Sequence, residues 1–212
     1  MKAWNSFFIL TIPTYFAVTA EERLSSGGDP ASTSEPPPEA ILKPTLRLLA
    51  ARARSVKELR ERLLRKGFKS SDVTYCILWC SHRALLDDEA FARSLTRDRI
   101  RFSPRSPFLL KREVTTRGVS ASLAREVVDA VLQEEGISEG DLSVSAAESW
   151  VRKQSSATRR ELLGDRFTPE RERARRRLQG FLARRGFSGD ATRRGLEAGE
   201  GKALEIEGNA ER

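Results

Sequence analysis

The chain has 212 residues, of which 39% are hydrophobic and 7% aromatic, so it can bury a core as one medium domain or as several small ones. Arg, Glu, Leu and Ala dominate its middle part, and this composition favours helices and predicts an all-α protein. The sequence has one His and neither a glycine-rich phosphate loop nor a nucleophile elbow. We therefore expect no enzyme, no catalytic residues, no cofactor and no metal.

The net charge of +8 is unevenly distributed along the chain. Residues 1–40 carry 2 Lys or Arg and 5 Asp or Glu, residues 41–195 carry 34 and 20, and residues 196–212 carry 2 and 5, so the net charges are −3, +14 and −3. The basic middle part suits a polyanion, whether nucleic acid, an acidic protein groove or a lipid surface. The alternative is an Arg-rich surface that is merely solvated.

Residues 1–40 are expected to be a leader or linker outside the fold. Residues 1–20 combine Lys2, an apolar stretch and small residues near Ala20, which is typical of a secretory signal peptide. The alternatives are a mis-assigned start or a disordered leader, and we favour these because nothing downstream is typical of an exported protein. Residues 21–40 are rich in Ser, Gly, Pro and Glu, which predicts disorder. We expect a cytoplasmic protein that is not bound to a membrane.

One spacing pattern occurs three times, at residues 59–68, 110–119 and 178–187. Each copy has two apolar residues four apart, then a cation, a glycine and a further apolar residue. The apolar pair lies on one face of a helix, the cation suits the helix C-terminus, and the glycine can take the left-handed conformation that ends the helix. We predict that Gly67, Gly118 and Gly186 are structural helix caps.

Each copy is the middle helix of a predicted three-helix unit, because polar capping residues follow it and an amphipathic segment precedes it. The preceding helices are predicted at residues 42–53, 87–101 and 141–153. Residues 154–168 interrupt the third unit as a loop or as a short helix around Leu162. Such units bury little alone, so we expect an elongated, curved array of three tandem three-helix repeats, with about nine helices. The predicted repeats are 41–85, 86–136 and 137–198, followed by a disordered acidic tail at 199–212.

The two cysteines, Cys76 and Cys80, lie four residues apart in an apolar run. On a helix they share one face, which predicts buried free thiols. A metal site is disfavoured because the single histidine, His82, lies on another face and a closed site needs about four ligands.

In their order along the chain, four pieces of the sequence resemble the RecX regulators of the RecA recombinase. They are Arg54-Ser55-x2-Glu58-Leu59-x3-Leu63-x2-Lys66-Gly67-Phe68, Leu86-Asp87-Asp88-x2-Phe91-Ala92, Leu110-x2-Glu113-Val114-x2-Arg117-Gly118-Val119 and Leu182-x-Arg184-Arg185-Gly186-Phe187-Ser188. The resemblance covers residues 41–195. It implies a crescent of three-helix repeats that binds in the groove of the RecA filament, dampens its strand-exchange and co-protease activities, and is neither an enzyme nor dependent on a cofactor.

The sequence departs from that family's pattern in three places. Val114 and Val119 replace the commoner Leu and Ile and so keep the apolar character. Ser106-Pro107 stands where the second repeat of the family usually opens with a glycine and a basic residue, and residues 1–40 have no counterpart. The family's role implies a function in DNA repair and the SOS response. The alternatives are a free-standing, sequence-nonspecific nucleic-acid-binding protein and an exported basic helical protein.

Arginine side chains are the predicted partner-binding groups, because a guanidinium binds carboxylates and phosphates bidentately. The candidates lie in or beside loops and helix ends, and are Arg97, Arg99, Arg101, Arg105, Lys111, Arg112, Arg117, Arg175, Arg176, Arg177, Arg184 and Arg185. We expect a monomer that uses them to contact the RecA filament and the DNA within it, with several weak contacts acting together. For each residue the alternative is a solvated charge or an intramolecular ion pair.

Overall fold

The computed structural model describes residues 35–210, and the expectations for residues 1–34 lie outside this range. The chain divides at residue 35, and the unit that begins at Pro36 contains the helices. Over the described range this unit forms helices and no strand, which confirms the all-α prediction. The helices are α1 (Glu39–Ala51), α2 (Val56–Arg65), α3 (Ser70–His82), α4 (Asp88–Phe102), α5 (Pro107–Thr116), α6 (Ala121–Glu134), α7 (Glu139–Arg152), α8 (Ser156–Leu163), α9 (Pro169–Arg184) and α10 (Gly189–Ala210).

The three tandem three-helix repeats are confirmed. Repeat 1 consists of α1 to α3, repeat 2 of α4 to α6, and repeat 3 of α7, α9 and α10, with α8 inserted after its first helix. The segment that interrupts repeat 3 therefore contains the short helix rather than only a loop. Leu162 of α8 is buried in the core that repeats 2 and 3 share, and this burial fixes the inserted helix.

Polar side chains set the beginnings of most helices. The carboxylate of Asp87 accepts hydrogen bonds from the backbone N–H groups of Glu89 and Ala90 and so caps α4. Ser138 and Asp141 form a reciprocal capping box at the start of α7. These bonds satisfy N–H groups that have no partner within the helix.

The second helix of every repeat ends at a glycine with positive φ. The angle is +88° at Gly67, +103° at Gly118 and +81° at Gly186. The apolar residue that follows the glycine then folds back, and the N–H of Phe187 donates to the carbonyl oxygen of Leu182 at 3.2 Å. This is the left-handed C-terminal cap that the repeated spacing predicts.

Buried apolar residues form two separate cores. One lies within repeat 1 and includes Leu59, Leu63 and the free thiols Cys76 and Cys80. The other is continuous through repeats 2 and 3. Repeats 2 and 3 therefore share one apolar core, whereas repeat 1 has a separate core of its own.

The C-terminal segment differs from the expected disordered tail, because α10 continues as a helix to Ala210. Gly195 and Gly199 allow α10 to lie close against α7 and α9: a Cβ at Gly199 would come within 2.6 Å of a Leu178 methyl carbon. Ala203 and Glu207 beyond them are buried. These two glycines are thus the residues that permit close helix packing.

We expect the three cap glycines to differ in their sensitivity to alanine. Gly67→Ala should cost about 1 kcal/mol, because it forces a positive φ on a residue with a Cβ while the space around that Cβ is empty. Gly118→Ala and Gly186→Ala should cost about 1–3 kcal/mol more, since their Cβ atoms would overlap Lys57 and Leu109 respectively. Urea unfolding measures the three free energies.

Gly201→Ala is the matched control, because Gly201 lies exposed in α10 and a Cβ added there would have no neighbour within 4 Å. It should raise the free energy of unfolding by about 0.5–1 kcal/mol through helix propensity alone. Equal losses at all three cap glycines would show that close packing of Gly118 and Gly186 contributes nothing.

Candidate protein-interaction surface

A serine at the start of α2 connects repeat 1 to repeat 2. The Ser55 hydroxyl accepts a hydrogen bond from the backbone N–H of Glu58 at 3.1 Å and donates one to the carbonyl oxygen of Arg117. The N–H of Val56 donates to the Asp88 carboxylate at 2.8 Å. Ser55 is completely buried, so this polar contact is shielded from water. We call this contact the first junction.

The second junction, between repeats 2 and 3, has the same construction. Ser106 caps α5 by accepting from the N–H of Leu109, and the N–H of Ser106 donates to the carbonyl oxygen of Arg185 at 2.9 Å. The Arg185 guanidinium donates to the Ser103 hydroxyl at 3.1 Å and to the Pro104 carbonyl oxygen at 2.7 Å. In both junctions, the capping serine of one repeat therefore contacts the carbonyl of the cation that precedes the next repeat's cap glycine.

The sequence contains a signal for these junctions that the motif analysis missed. A serine stands twelve residues before the cap glycine in repeats 1 and 2, as Ser55 and Ser106. The equivalent residue of repeat 3 is Ala174, which is buried inside α9 because that helix begins earlier, at Pro169. The cation and glycine of the repeated pattern thus join neighbouring repeats as well as ending a helix.

Glu58 neutralises two arginines at the first junction. Its carboxylate lies 2.6 Å from the guanidinium of Arg117 and 2.8 Å from that of Arg52. Burial alone would raise the pKa of Glu58, but the hydrogen bonds from Arg117 and Arg52 outweigh it and hold the pKa below its usual range. Arg117 is therefore engaged within the protein.

Glu113 plays the same part within repeat 2. Its carboxylate lies 2.7 Å from Arg99 and 2.7 Å from Arg105, and its side chain is 16% exposed. Burial opposes ionisation here too, yet the hydrogen bonds of Arg99 and the charge of Arg105 lower the pKa of Glu113. Two further predicted binding residues are therefore committed to an internal ion pair.

Four more of the predicted residues also face carboxylates. Arg97 lies 3.1 Å from both Glu134 and Glu135, and three other cations each face one carboxylate. These other pairs are Lys111 with Asp129 at 2.8 Å, Arg175 with Glu200 at 2.8 Å and Arg177 with Glu161 at 3.9 Å. Exposed pairs of this kind contribute little to stability and open readily, so these side chains can still reach a partner.

The remaining predicted residues carry charge that no ion pair neutralises among residues 35–210. Arg112 on α5 and Arg176 and Arg184 on α9 are exposed. Arg101 places its guanidinium 5.2 Å from the ring centre of Phe102. Arg185 bonds to a hydroxyl and a carbonyl rather than to a carboxylate. Repeats 2 and 3 thus supply all of these unneutralised candidates.

Two aromatic residues that the sequence analysis did not single out lie beside these cations. Phe102 and Phe108 stand at either side of the α4–α5 loop and are 68% and 69% exposed. Exposed aromatic rings next to arginines are characteristic of protein-binding surfaces, where both residue types are enriched. A signal was available for Phe108, which lies two residues before Leu110 and so off the face that Leu110 and Val114 share. Phe102 lies just past the predicted helix at 87–101, and its exposure had no local signal.

The fold and these side chains define a helical-repeat protein with a basic, partly aromatic surface. In the described part of the chain, no group of three or more His, Cys, Asp or Glu could hold a metal ion. No helix found between residues 35 and 210 has the length and hydrophobicity to cross a membrane. The surface suits recognition of another macromolecule.

Comparison with known proteins identifies the family. The family models described as the first and second three-helix domains of RecX match residues 45–80 and 87–128. Among similar proteins, the regulatory protein RecX of Mycobacterium avium is 37% identical over 160 residues, which are 75% of this chain and 84% of that protein. The RecX of Halorhodospira halophila is 31% identical over 76% of this chain and 89% of that protein. The chain belongs to the RecX family of regulatory proteins, as the sequence motifs predict.

Solved structures agree on the fold. The crystal structure of RecX from Lactobacillus salivarius superposes with a TM-score of 0.55 at 16% identity, over 76% of this chain and 96% of that one. A second RecX crystal structure gives 0.53 at 20% identity, over 72% of this chain and 69% of the other. The tandem three-helix arrangement is therefore shared with these two proteins.

Replacing Glu113 tests whether its ion pairs stabilise the fold. Glu113→Gln should lower the free energy of unfolding at pH 7 by about 1–3 kcal/mol, because Arg99 and Arg105 lose their counter-charge. The folded-state pKa of Glu113 lies below its unfolded value. Its contribution is therefore complete above the unfolded pKa and disappears as the pH falls through the folded pKa.

Urea unfolding of both proteins over a series of pH values measures this contribution. The difference between wild type and Glu113→Gln should shrink steadily on acidification. Glu170→Gln is the control, because Glu170 forms an exposed pair with Arg173 in which both side chains are more than half exposed. A Glu113→Gln protein as stable as wild type at pH 7 would show that the pair is not stabilising.

Proposed function

We propose that this protein binds the RecA–DNA filament and restrains recombinase activity, as a monomeric cytoplasmic regulator in DNA repair and the SOS response. Membership of the RecX family of regulatory proteins is the observation that supports this proposal most directly. Binding, rather than catalysis, would carry the effect. The surface chemistry is consistent with this role, because its cations suit carboxylates and phosphates.

The repeat architecture supports a multivalent mechanism. A filament presents the same surface at every protomer, so similar units in one chain can each meet an equivalent site. Linked weak contacts then strengthen one another through effective concentration. Repeat 2 offers Arg101 and Arg112 to such contacts, and repeat 3 offers Arg176 and Arg184.

Purified full-length protein added to RecA on single-stranded DNA should slow both ATP hydrolysis and strand exchange. Binding to the filament should weaken as salt concentration rises, because exposed cations carry much of the attraction. Undiminished RecA activity with this protein in stoichiometric excess would contradict the proposal. Equal affinity for naked and for RecA-coated single-stranded DNA would favour the free-standing nucleic-acid-binding protein instead.

A charge reversal in α9 tests the predicted binding residues. The double variant Arg176→Glu/Arg184→Glu should bind RecA filaments at least about tenfold more weakly, since a charged hydrogen bond contributes about 1.5–3 kcal/mol. Stability should change little, because neither side chain forms an ion pair among residues 35–210. Fluorescence anisotropy with a labelled filament gives the affinities and thermal unfolding gives the stability.

Arg193→Glu is the matched control for this reversal. Arg193 is an exposed arginine of α10 that pairs with Asp190 and is not among the predicted binding residues. Its reversal should leave filament affinity close to that of wild type. If the double variant binds as well as Arg193→Glu does, α9 is not part of the binding surface.

A further inference from the structure

A cleft opens at the second junction, where α5 of repeat 2 meets the end of α9 in repeat 3. Its lining residues are Arg105, Leu109, Phe181, Arg184 and Arg185. Three of the five are arginines and none is acidic. Leu109 and Phe181 provide apolar surface between the cations. Arg105 is paired with Glu113 at 2.7 Å, so the positive charge of the cleft that no carboxylate of residues 35–210 neutralises comes from Arg184 and Arg185, beside an apolar floor.

Arg185 is a partly buried cation of the cleft, and no carboxylate in the described part of the chain pairs with it. Its guanidinium lies over the Phe181 ring, 4.6 Å from the centre, and its hydrogen bonds go to the Ser103 hydroxyl and the Pro104 carbonyl. Nowhere in residues 35–210 does it meet a carboxylate. Burial, and then the charge of Arg105, lower the pKa of Arg185. A partly buried cation without a counter-charge is unfavourable, and an anion would relieve that cost.

The first junction shows which group neutralises the arginine that precedes a cap glycine. Arg117 and Arg185 are equivalent, because each directly precedes the cap glycine of its repeat. Arg117 is held by the Glu58 carboxylate at 2.6 Å. Glu58 and Leu109 are also equivalent, since each is the third residue of its helix, α2 or α5. By position in the repeat, the second junction therefore has an apolar side chain where the first has the carboxylate.

We propose that this cleft binds a carboxylate side chain of an acidic segment in a partner protein, at the position that Glu58 fills in the first junction. Arg185 and Arg184 would hold the carboxylate, while Leu109 and Phe181 would contact an apolar neighbour of the acidic residue. The exposed Phe102 and Phe108 extend the apolar surface on either side of the α4–α5 loop. This inference rests on the proposed function only for the identity of the partner, because the acidic segment would belong to the RecA filament.

A protein segment fits the cleft better than a nucleic-acid strand. The internal precedent is a carboxylate, and the group that replaces it at the second junction is the aliphatic Leu109. The one aromatic ring of the lining, Phe181, already has the Arg185 guanidinium over it, which leaves little ring surface for a nucleobase to stack on. Acidic residues flanked by apolar ones match a cleft that alternates Arg184 and Arg185 with Leu109 and Phe181. Binding of a phosphate backbone is accordingly the competing outcome of the test.

The test restores the missing carboxylate within the chain itself. In Leu109→Glu the new side chain stands where Glu58 stands in repeat 1, so it should pair with Arg185 and occupy the cleft. Leu109→Gln is the matched control, with the same shape and no charge. Arg184→Gln is a second variant, on an exposed side chain whose change should not disturb folding. Thermal unfolding establishes that each full-length variant is folded.

Two probes separate the possible ligands: a fluorescent peptide of alternating Glu and Leu, and single-stranded oligothymidine. Wild type should bind the peptide, with the Arg185 Nε–Hε signal shifting in the NMR spectrum. Leu109→Gln should bind it more weakly than wild type, because the apolar contact of Leu109 is lost. Leu109→Glu should bind it at least about tenfold more weakly than Leu109→Gln, and Arg184→Gln at least about tenfold more weakly than wild type, because a charged hydrogen bond is blocked or lost. RecA filaments should show the same order of affinities.

Each other outcome contradicts the proposal. Peptide affinity that is unchanged in Leu109→Glu, or equally reduced in Leu109→Gln, would show that the restored charge does not compete for the cleft. A wild-type Arg185 signal that responds to oligothymidine and not to the peptide would assign the cleft to phosphate. The peptide measurements contain no RecA and therefore test the cleft separately from the proposed function. If the variants bind the peptide in the expected order of affinity but the protein does not bind filaments, the carboxylate site is supported and only the proposed function is contradicted.

Discussion

The position of repeat 1 against repeat 2 depends on the hydrogen bond from the Ser55 hydroxyl to the carbonyl oxygen of Arg117. The same hydroxyl caps α2, so the start of that helix and the attachment of repeat 2 depend on one buried side chain. Since repeat 1 has a core of its own, apolar packing alone does not fix its register against repeat 2. A directional polar contact does, because buried donors and acceptors must find partners.

At both junctions a capping serine contacts the carbonyl oxygen of the cation before the next cap glycine, through its hydroxyl at the first junction and through its backbone N–H at the second. At the first, the cores are separate and Glu58 balances the charges of Arg52 and Arg117. At the second, a continuous core joins repeats 2 and 3, and Arg185 is left without a carboxylate. Apolar packing can compensate for an unneutralised cation at the second junction, where it could not at the first. Because of this difference, the charge of Arg185 at the second junction is available to an anionic group of a partner.

Local features of the structure could be predicted from the sequence, because they depend on neighbouring residues. The spacing of Leu110, Val114 and Gly118 carries a helix face and its end within ten residues. Ion pairs between helices have no such local signal, because they depend on how the helices meet. Arg99 pairs with Glu113, and Arg117 pairs with Glu58, which lies 59 residues earlier in the chain. The prediction of a disordered tail was wrong for the same reason, since Gly195 and Gly199 weaken an isolated helix and stabilise one packed against α7 and α9. The unneutralised cleft could be found only by comparing the two junctions.

Ala174 has a consequence for the growth of the array. The earlier repeats offer the following unit a helix start with a serine hydroxyl, whereas α9 continues through this position and buries Ala174 in the shared core. A further unit docked against repeat 3 would find neither a capping serine nor a free helix N-terminus to contact the carbonyl of its cation. Extension by the same junction is thereby blocked, and repeat 3 closes this face of the array as a terminal capping repeat does in a solenoid.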